Sequence, residues 1–321
     1  MPESQPEPVP SFRREFSRFV QYWYGTEPPQ ALCVFRILLG FYFLIGWLSI
    51  LPRVELYYSV EGMAFPYMDA PEGASNNLRD VLANLVQPAP VWVAWLLYGL
   101  MLTLIVLIIV GWWTRSALLL FSVMYSYYWL LQLHSLQSSF DRLLFVITVM
   151  LAMGECDAVY SLRAWIRKMR GERSVELIPI WPARLITMQI AFMYVGTGIY
   201  KIMTPAWAGG DMLIYSFQGD WASPVAFQIL QLPLSKGVYD FVILMTILLE
   251  LWAPFLLFHQ TWQKLFFVLG FFFHLSISLT LNIWPFMIMP LTYILFVEPS
   301  AFKQFCDQVA AKWQRPANRQ A

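Results

Sequence analysis

The sequence predicts an all-α, polytopic membrane helix bundle of about eight transmembrane helices, with the N-terminus and the C-terminus both cytoplasmic. Three observations predict it. First, 59% of the 321 residues are hydrophobic and only 13% are charged, where a soluble domain carries about 25% charged residues; mean hydropathy is +0.55. Second, apolar runs recur at the length of a bilayer span, roughly 20 residues at about 1.5 Å each. Third, the lysines and arginines between those runs fall mostly on alternate segments, as the positive-inside rule requires.

Taken in order, residues 1–30 form a cytoplasmic tail. Its first ten, MPESQPEPVP, contain four prolines and two glutamates. They read as disordered, and no basic stretch precedes a short apolar run as in a signal peptide. The spans then run over 31–51, 91–113, 117–135, 142–160, 184–203, 238–258, 264–282 and 285–298. The last is short, and Asn282-Ile283-Trp284 is all that separates it from its predecessor, so those two are either two spans or one re-entrant hairpin. With the N-terminus inside, the inner segments hold 15 lysines and arginines against 5 on the outer ones. Arg36, counted on neither side, lies within the first span near its inner end, where snorkelling to water explains it. Residues 52–90 and 204–237 are outer loops rich in turn residues, Tyr and Trp, and are expected to fold over the outer mouth. The loop 161–183 is basic, amphipathic and cytoplasmic, and anionic lipid attracts such a segment. Residues 301–321 form a cytoplasmic tail.

A net charge of +1 gives no electrostatic case for nucleic acid. Cys33, Cys156 and Cys306 are far apart and form no C-x-x-C, so neither a disulfide framework nor a zinc site is expected. Three histidines are too few and too scattered for a metal site. The partners to expect are the lipid bilayer and molecules that dissolve in it.

Ionisable side chains inside spans are expensive and mark function by default. Glu250, in TILLELWAPFLLF, lies about 12 Å from the inner end of the sixth span, and His274, in FFFHLSISLT, about 15 Å from the inner end of the seventh. Antiparallel neighbours bring such depths together, so a Glu250–His274 pair is expected, either as a structural hydrogen bond or as a proton-handling pair. A second polar group gathers at the outer ends: His134 closes the third span, Asp141 and Arg142 open the fourth, and Lys201 with Trp207 closes the fifth. Each of these also has an ordinary reading as an interfacial anchor. Glu155 and Asp157 read as interfacial at the inner end of the fourth span.

Several stretches resemble the horizontally transferred transmembrane (HTTM) domain, the membrane domain of vitamin K-dependent gamma-carboxylase. FRILLG, 35–40, followed by Tyr57, Tyr58 and Gly62, resembles the family's opening. QIAFMYVGTGIYKIMTPAWAGG, 189–210, resembles the family helix that ends in small residues, a lysine, and then a tryptophan and glycine. ILLELWAPFLLF, 247–258, resembles the next helix, whose acidic residue falls on Glu250. FFFHLSISLTLNIWPF, 271–286, resembles the segment whose histidine falls on His274.

The resemblance implies an enzyme that oxidises a reduced isoprenoid, vitamin K-like quinone, with Lys201 as the base and His274 and Glu250 as supporting catalytic residues. Trp207, Tyr200, His134, Asp141 and Arg142 are then the expected substrate-binding residues, and no metal is implied. A lysine at the rim of an apolar bundle is partly desolvated, which favours its neutral, basic form. Gly196 and Gly198 let a neighbouring helix or a ligand approach that lysine. The sequence departs from the carboxylase in two places. Tyr200 stands where the enzyme has a second lysine, and Phe140, in SSFDR, stands where it has a histidine. About 20 residues follow the last span, so a propeptide-recognising outer domain is not expected. The alternative is a non-catalytic membrane module acting in maturation or export with a membrane or secreted protein partner. A transporter is disfavoured, because no inverted repeat is present. Either way the protein is expected in the inner or plasma membrane with its site facing outward.

Overall fold

In a computed structural model, residues 11–64, 86–131 and 139–314 are described. His134 and the first ten residues lie outside them. The described chain is built of helices, with one two-stranded ribbon.

α1 (Ser11–Tyr24) precedes β1 (Thr26–Glu27), and α2 (Gln30–Ile50) follows. α2 is the centre of the bundle: Phe35, Leu39, Phe43 and Trp47 are buried along it. After a short 3-10 turn, α3 (Val54–Tyr58) folds back, stacking Tyr58 on Trp47 at 6.0 Å between ring centres. α4 (Val91–Val110) is apolar all round, as a helix with protein on one side and lipid on the other must be. It packs along α2, and the Tyr98 hydroxyl donates to the Trp47 carbonyl. Gly40 makes that contact close, because a Cβ there would collide with Ile109.

α5 (Thr114–Leu131) and α6 (Ser139–Ala152) form the next hairpin. α7 (Leu162–Met169) is a short amphipathic helix, capped by the Ser161 hydroxyl accepting from the Ala164 amide. β2 (Ile178–Pro179) pairs antiparallel with β1, and α8 (Trp181–Met203) starts with Pro182 in its first turn, where the missing N–H costs nothing. α9 (Pro205–Ala208), α10 (Met212–Gln218) and α11 (Pro224–Leu230) are the short helices of the segment 204–237. This segment packs on the end of α13 (Gln263–Leu281): the Ser223 hydroxyl donates to the Leu279 carbonyl at 2.6 Å and its amide to the Thr280 carbonyl at 2.8 Å.

α12 (Lys236–Phe258) lies along α8 in the most extensive helix contact of the molecule, and α13 (Gln263–Leu281) ends on Asn282 in the left-handed conformation. Last come a turn at Trp284–Met287, α14 (Ile288–Thr292), a turn at Tyr293–Phe296, and α15 (Pro299–Gln314).

Among the described residues, five helical stretches are long and apolar enough to cross a membrane, and a sixth is counted if the bent segment from Trp284 to Lys312 is one span. The eight expected spans differ from this in three places. The third becomes α5, 18 residues rich in Ser and Tyr. The fourth is a helix of 14 residues that stops at Ala152, after which Met153–Ser161 turns irregularly to reach α7. The eighth is not a continuous helix, because Pro285 and Pro290 divide it into 3-10 and α turns.

Arg36 does not snorkel. It is fully buried, and its Nη2 donates to the Tyr160 carbonyl at 2.6 Å. The residues after α6 fold over it, so the route to water that a lone helix would leave open is closed by tertiary structure. Asp157 is likewise buried, and both its oxygens sit 3.2 Å from Arg163 Nη1.

The ribbon buries Glu27. Burial raises its carboxyl to about 7, against the pull of Arg184 and with the help of Glu298. A raised acid favours the folded state while protonated. This contribution is fully present below about pH 4.5 and is lost as pH rises through about 7. Glu27→Gln is therefore expected to melt higher than wild type at pH 8, by up to about 3 kcal/mol of stability, and to match it at pH 5. Melting curves at the two pH values check this; a difference that is the same at both excludes it.

Candidate functional site

Lys201 and Glu250 meet because two helices touch at a glycine. On α8, Tyr194, Gly198 and Lys201 share one face, at spacings of four and three. A Cβ on Gly198 would stand 2.9 Å from Leu251 Cδ2 and 3.4 Å from Glu250 Cβ, so only a glycine lets α12 lie this close. Gly196, by contrast, faces open space. Lys201 Nζ donates to Glu250 Oε1 in an ion pair whose side chains are 14% and 6% exposed. The α9 turn that begins at Pro205 brings the Trp207 ring to 4.9 Å from the same ammonium, a cation–π contact in the range where such pairs attract.

The expected Glu250–His274 bond does not form. His274 instead shares a 2.7 Å hydrogen bond between its Nε2 and the Tyr194 hydroxyl, which lies 2.9 Å from the Tyr293 hydroxyl. Gly270 makes room for that second tyrosine, since a Cβ there would strike its hydroxyl. The three groups form a buried chain from α13 through α8 to the broken last segment. Tyr194 and Tyr293 were not anticipated. The i, i+4, i+7 register of Tyr194, Gly198 and Lys201 was the available signal for the first. The second sits in a segment whose helical pattern is interrupted, and no signal marked it.

Glu250 Oε2 and His274 Nδ1 are two of the nine buried side-chain polar atoms that have no hydrogen-bond partner among the described residues. Whichever tautomer His274 adopts, Nδ1 is an unmet donor or an unmet acceptor. Unpaired buried polar atoms are uncommon and costly, and here they sit on two groups of one cluster.

The other predicted residues lie elsewhere. Asp141 accepts from the Tyr125 hydroxyl at 2.6 Å and lines a cavity of about 660 Å³. That volume is within the range of small-molecule sites. Half of the residues in its wall are aromatic, among them Tyr42, Trp47, Tyr58, Tyr128 and Phe140. Lys201, Glu250 and His274 do not line it. Between cavity and cluster stand two rings: Phe140 packs on Phe286 at 4.1 Å, and Phe286 stacks on His274 at 5.9 Å. Phe140 is thus the divider between the two. Arg142 is exposed, with its guanidinium 6.0 Å from the Trp129 ring. Tyr200 is 66% exposed on the outside of α8 and takes no part in the cluster.

Tyr194→Phe tests the hydrogen-bonded chain. It removes the one hydroxyl that joins His274 to Tyr293, and a cost of about 1–3 kcal/mol is expected in detergent unfolding. Tyr200→Phe is the control and is expected to change nothing.

A bundle of long apolar helices around a buried lysine–glutamate pair defines the class: an integral membrane protein with charge held inside its helical core. Residues 24–300 match the HTTM domain, and the chain belongs to that family. No curated protein and no solved structure matches it.

Proposed function

We propose that this HTTM bundle binds an apolar, hydroxyl-bearing molecule of the isoprenoid quinol class and takes up its proton at the Lys201–Glu250 pair. The observation that carries this reading is the water-poor pair itself, with Glu250 Oε2 unmet and His274 Nδ1 unmet in the same cluster. An aromatic cavity on the far side of Phe140 and Phe286 has a volume and lining that suit a flat ring with an apolar tail, and those two rings would turn aside for such a ligand to reach Glu250.

This reading divides the work between Lys201 and Glu250, where the resemblance implies Lys201 as the base with Glu250 and His274 in support. Lys201 is already occupied by Glu250 Oε1, so the free acceptor is Glu250 Oε2. A ligand hydroxyl that donates there gives its proton to the carboxylate, and Lys201 remains an ammonium. That ammonium, held by the Trp207 ring, stabilises the negative charge left on the ligand oxygen, in surroundings where water does not screen it. The bound quinol itself would supply the electrons for reaction with oxygen.

The test is oxygen uptake by the purified protein in lipid nanodiscs supplied with a reduced naphthoquinone. Glu250→Gln, shown to be folded, is expected to lower turnover at least about 100-fold, the usual worth of a positioned acid or base. Turnover unchanged in Glu250→Gln removes the pair from the chemistry. If wild type neither consumes oxygen nor retains a quinone, the module acting through a protein partner is the reading left.

A further inference from the structure

At the end of the bundle opposite Lys201, a cavity of about 400 Å³ opens between the start of α5, the turn after α6, and α7. The loop charges predict this end to be cytoplasmic. Four arginines and three acids line it: Arg115, Arg163, Arg167 and Arg170, with Glu155, Asp157 and Glu172. Arg163 and Asp157 neutralise one another, and Arg167 Nη2 is anchored on the Ala158 carbonyl at 2.8 Å. The remaining side chains form no ion pair among the described residues, although both signs face one space. Arg115, Arg170, Glu155 and Glu172 are all exposed on the cavity wall and are accessible to a ligand that carries charge. The Thr114 hydroxyl, on a wall residue only 2% exposed, also has no partner.

Trp113 lines this cavity and is 71% exposed. On α7 the lining residues Arg163, Ile166 and Arg167 share one face with Arg170 just beyond it, while Trp165, 58% exposed, and Met169 lie on the opposite face of the helix. An amphipathic helix with an exposed tryptophan belongs at the headgroup–acyl boundary. A ligand at that depth carries acyl chains. One that satisfies both kinds of charge carries an anion and a hydrogen-bonding cation together.

We propose that this cavity binds the headgroup of an ethanolamine phospholipid, with the phosphate between Arg115, Arg167 and Arg170 and the primary ammonium toward Glu155 and Glu172. The Thr114 hydroxyl is a further donor for a phosphate oxygen. A choline headgroup has no N–H to give the carboxylates, and a glycerol headgroup brings no cation to them.

The experiment is native mass spectrometry of the full chain in detergent, doped with equal amounts of phosphatidylethanolamine, phosphatidylcholine and phosphatidylglycerol of the same acyl composition. Wild type is expected to retain the ethanolamine lipid about tenfold over each of the others, the worth of one charge-assisted hydrogen bond. Arg115→Gln with Arg170→Gln is expected to abolish the preference by losing the phosphate. Glu155→Gln with Glu172→Gln is expected to reverse it toward phosphatidylglycerol. Lys264→Gln with Lys303→Gln, charges outside the cavity lining, should leave it intact. Wild type preferring phosphatidylglycerol would reduce the cavity to part of a diffuse basic surface and overturn the proposal, as would equal retention of all three lipids. Displacement of the lipid by micromolar soluble phosphoethanolamine would overturn its membrane source.

Discussion

Replacing Lys201 with methionine is expected to lower folding stability by about 3–5 kcal/mol, because it leaves Glu250 as an unpaired charge in the core. The methionine keeps most of the lysine's stem, so packing against Trp207 changes little and the loss reports charge. Glu250→Leu alone is expected to be comparably harmful for the mirror reason, since an ammonium is then stranded. The double variant Lys201→Met/Glu250→Leu is the informative one. It removes both charges, and it should recover most of what either single change loses, because a buried ion pair is often no more stabilising than apolar residues of similar volume. Unfolding of the purified protein in mixed micelles, followed by tryptophan fluorescence, measures all three. If each single variant is as stable as wild type, the two side chains do not pair in the folded protein. If the double variant is as damaged as the sum of the singles, they are not coupled. Such a recovery, combined with lost oxygen uptake, would mean that the pair is kept for chemistry rather than for the fold.

Gly111→Val is expected to be the most damaging change at the opposite end, by about 2–5 kcal/mol. Gly111 ends α4 at φ +75°, a conformation that costs other residues roughly 1–2 kcal/mol. A Cβ there would also strike Arg36 Nη1 and Ser161 Cβ, which adds an overpacking cost of about 1–3 kcal/mol. The collision is not with solvent-facing tips. Arg36 is fully buried and held by the Tyr160 carbonyl, and Ser161 caps α7. Forcing either aside loosens the turn that closes the ionic cavity, so this variant should also lose its headgroup preference. Gly99→Ala is the control. It lies within α4 with nothing near its added methyl, and alanine is the better helix former by about 0.5–1 kcal/mol. A Gly111→Val protein as stable as Gly99→Ala would show that the packed arginine is not where the structure puts it.

The helices were legible in the sequence where one face or all faces are apolar for a full bilayer length. α2, α4, α8, α12 and α13 satisfy that condition, and their expected limits lie within three residues of the observed ones. α6 was overextended because Met153–Tyr160 contains enough small and apolar residues to continue an apolar run, while its backbone turns to cover Arg36. The last segment was ambiguous for a physical reason: two prolines interrupt a composition that otherwise reads as a span. Lys201, Glu250 and His274 were legible as expensive residues. How they pair was not, because depth along a helix says nothing of which face a neighbour presents.

By itself the sequence determined a membrane-embedded helical protein of the HTTM family, with ionisable groups inside it and an asymmetric distribution of basic residues. The family follows from the resemblance of particular stretches and the rest from composition and periodicity along one chain, so none of it needs knowledge of neighbours. Tertiary structure alone decided that Glu250 belongs to Lys201 and His274 to Tyr194, that Phe140 divides cavity from cluster, and that Arg36 is sealed from water. Each of those depends on how helices rotate about their axes and where a glycine lets two backbones approach, and contacts across the bundle set both.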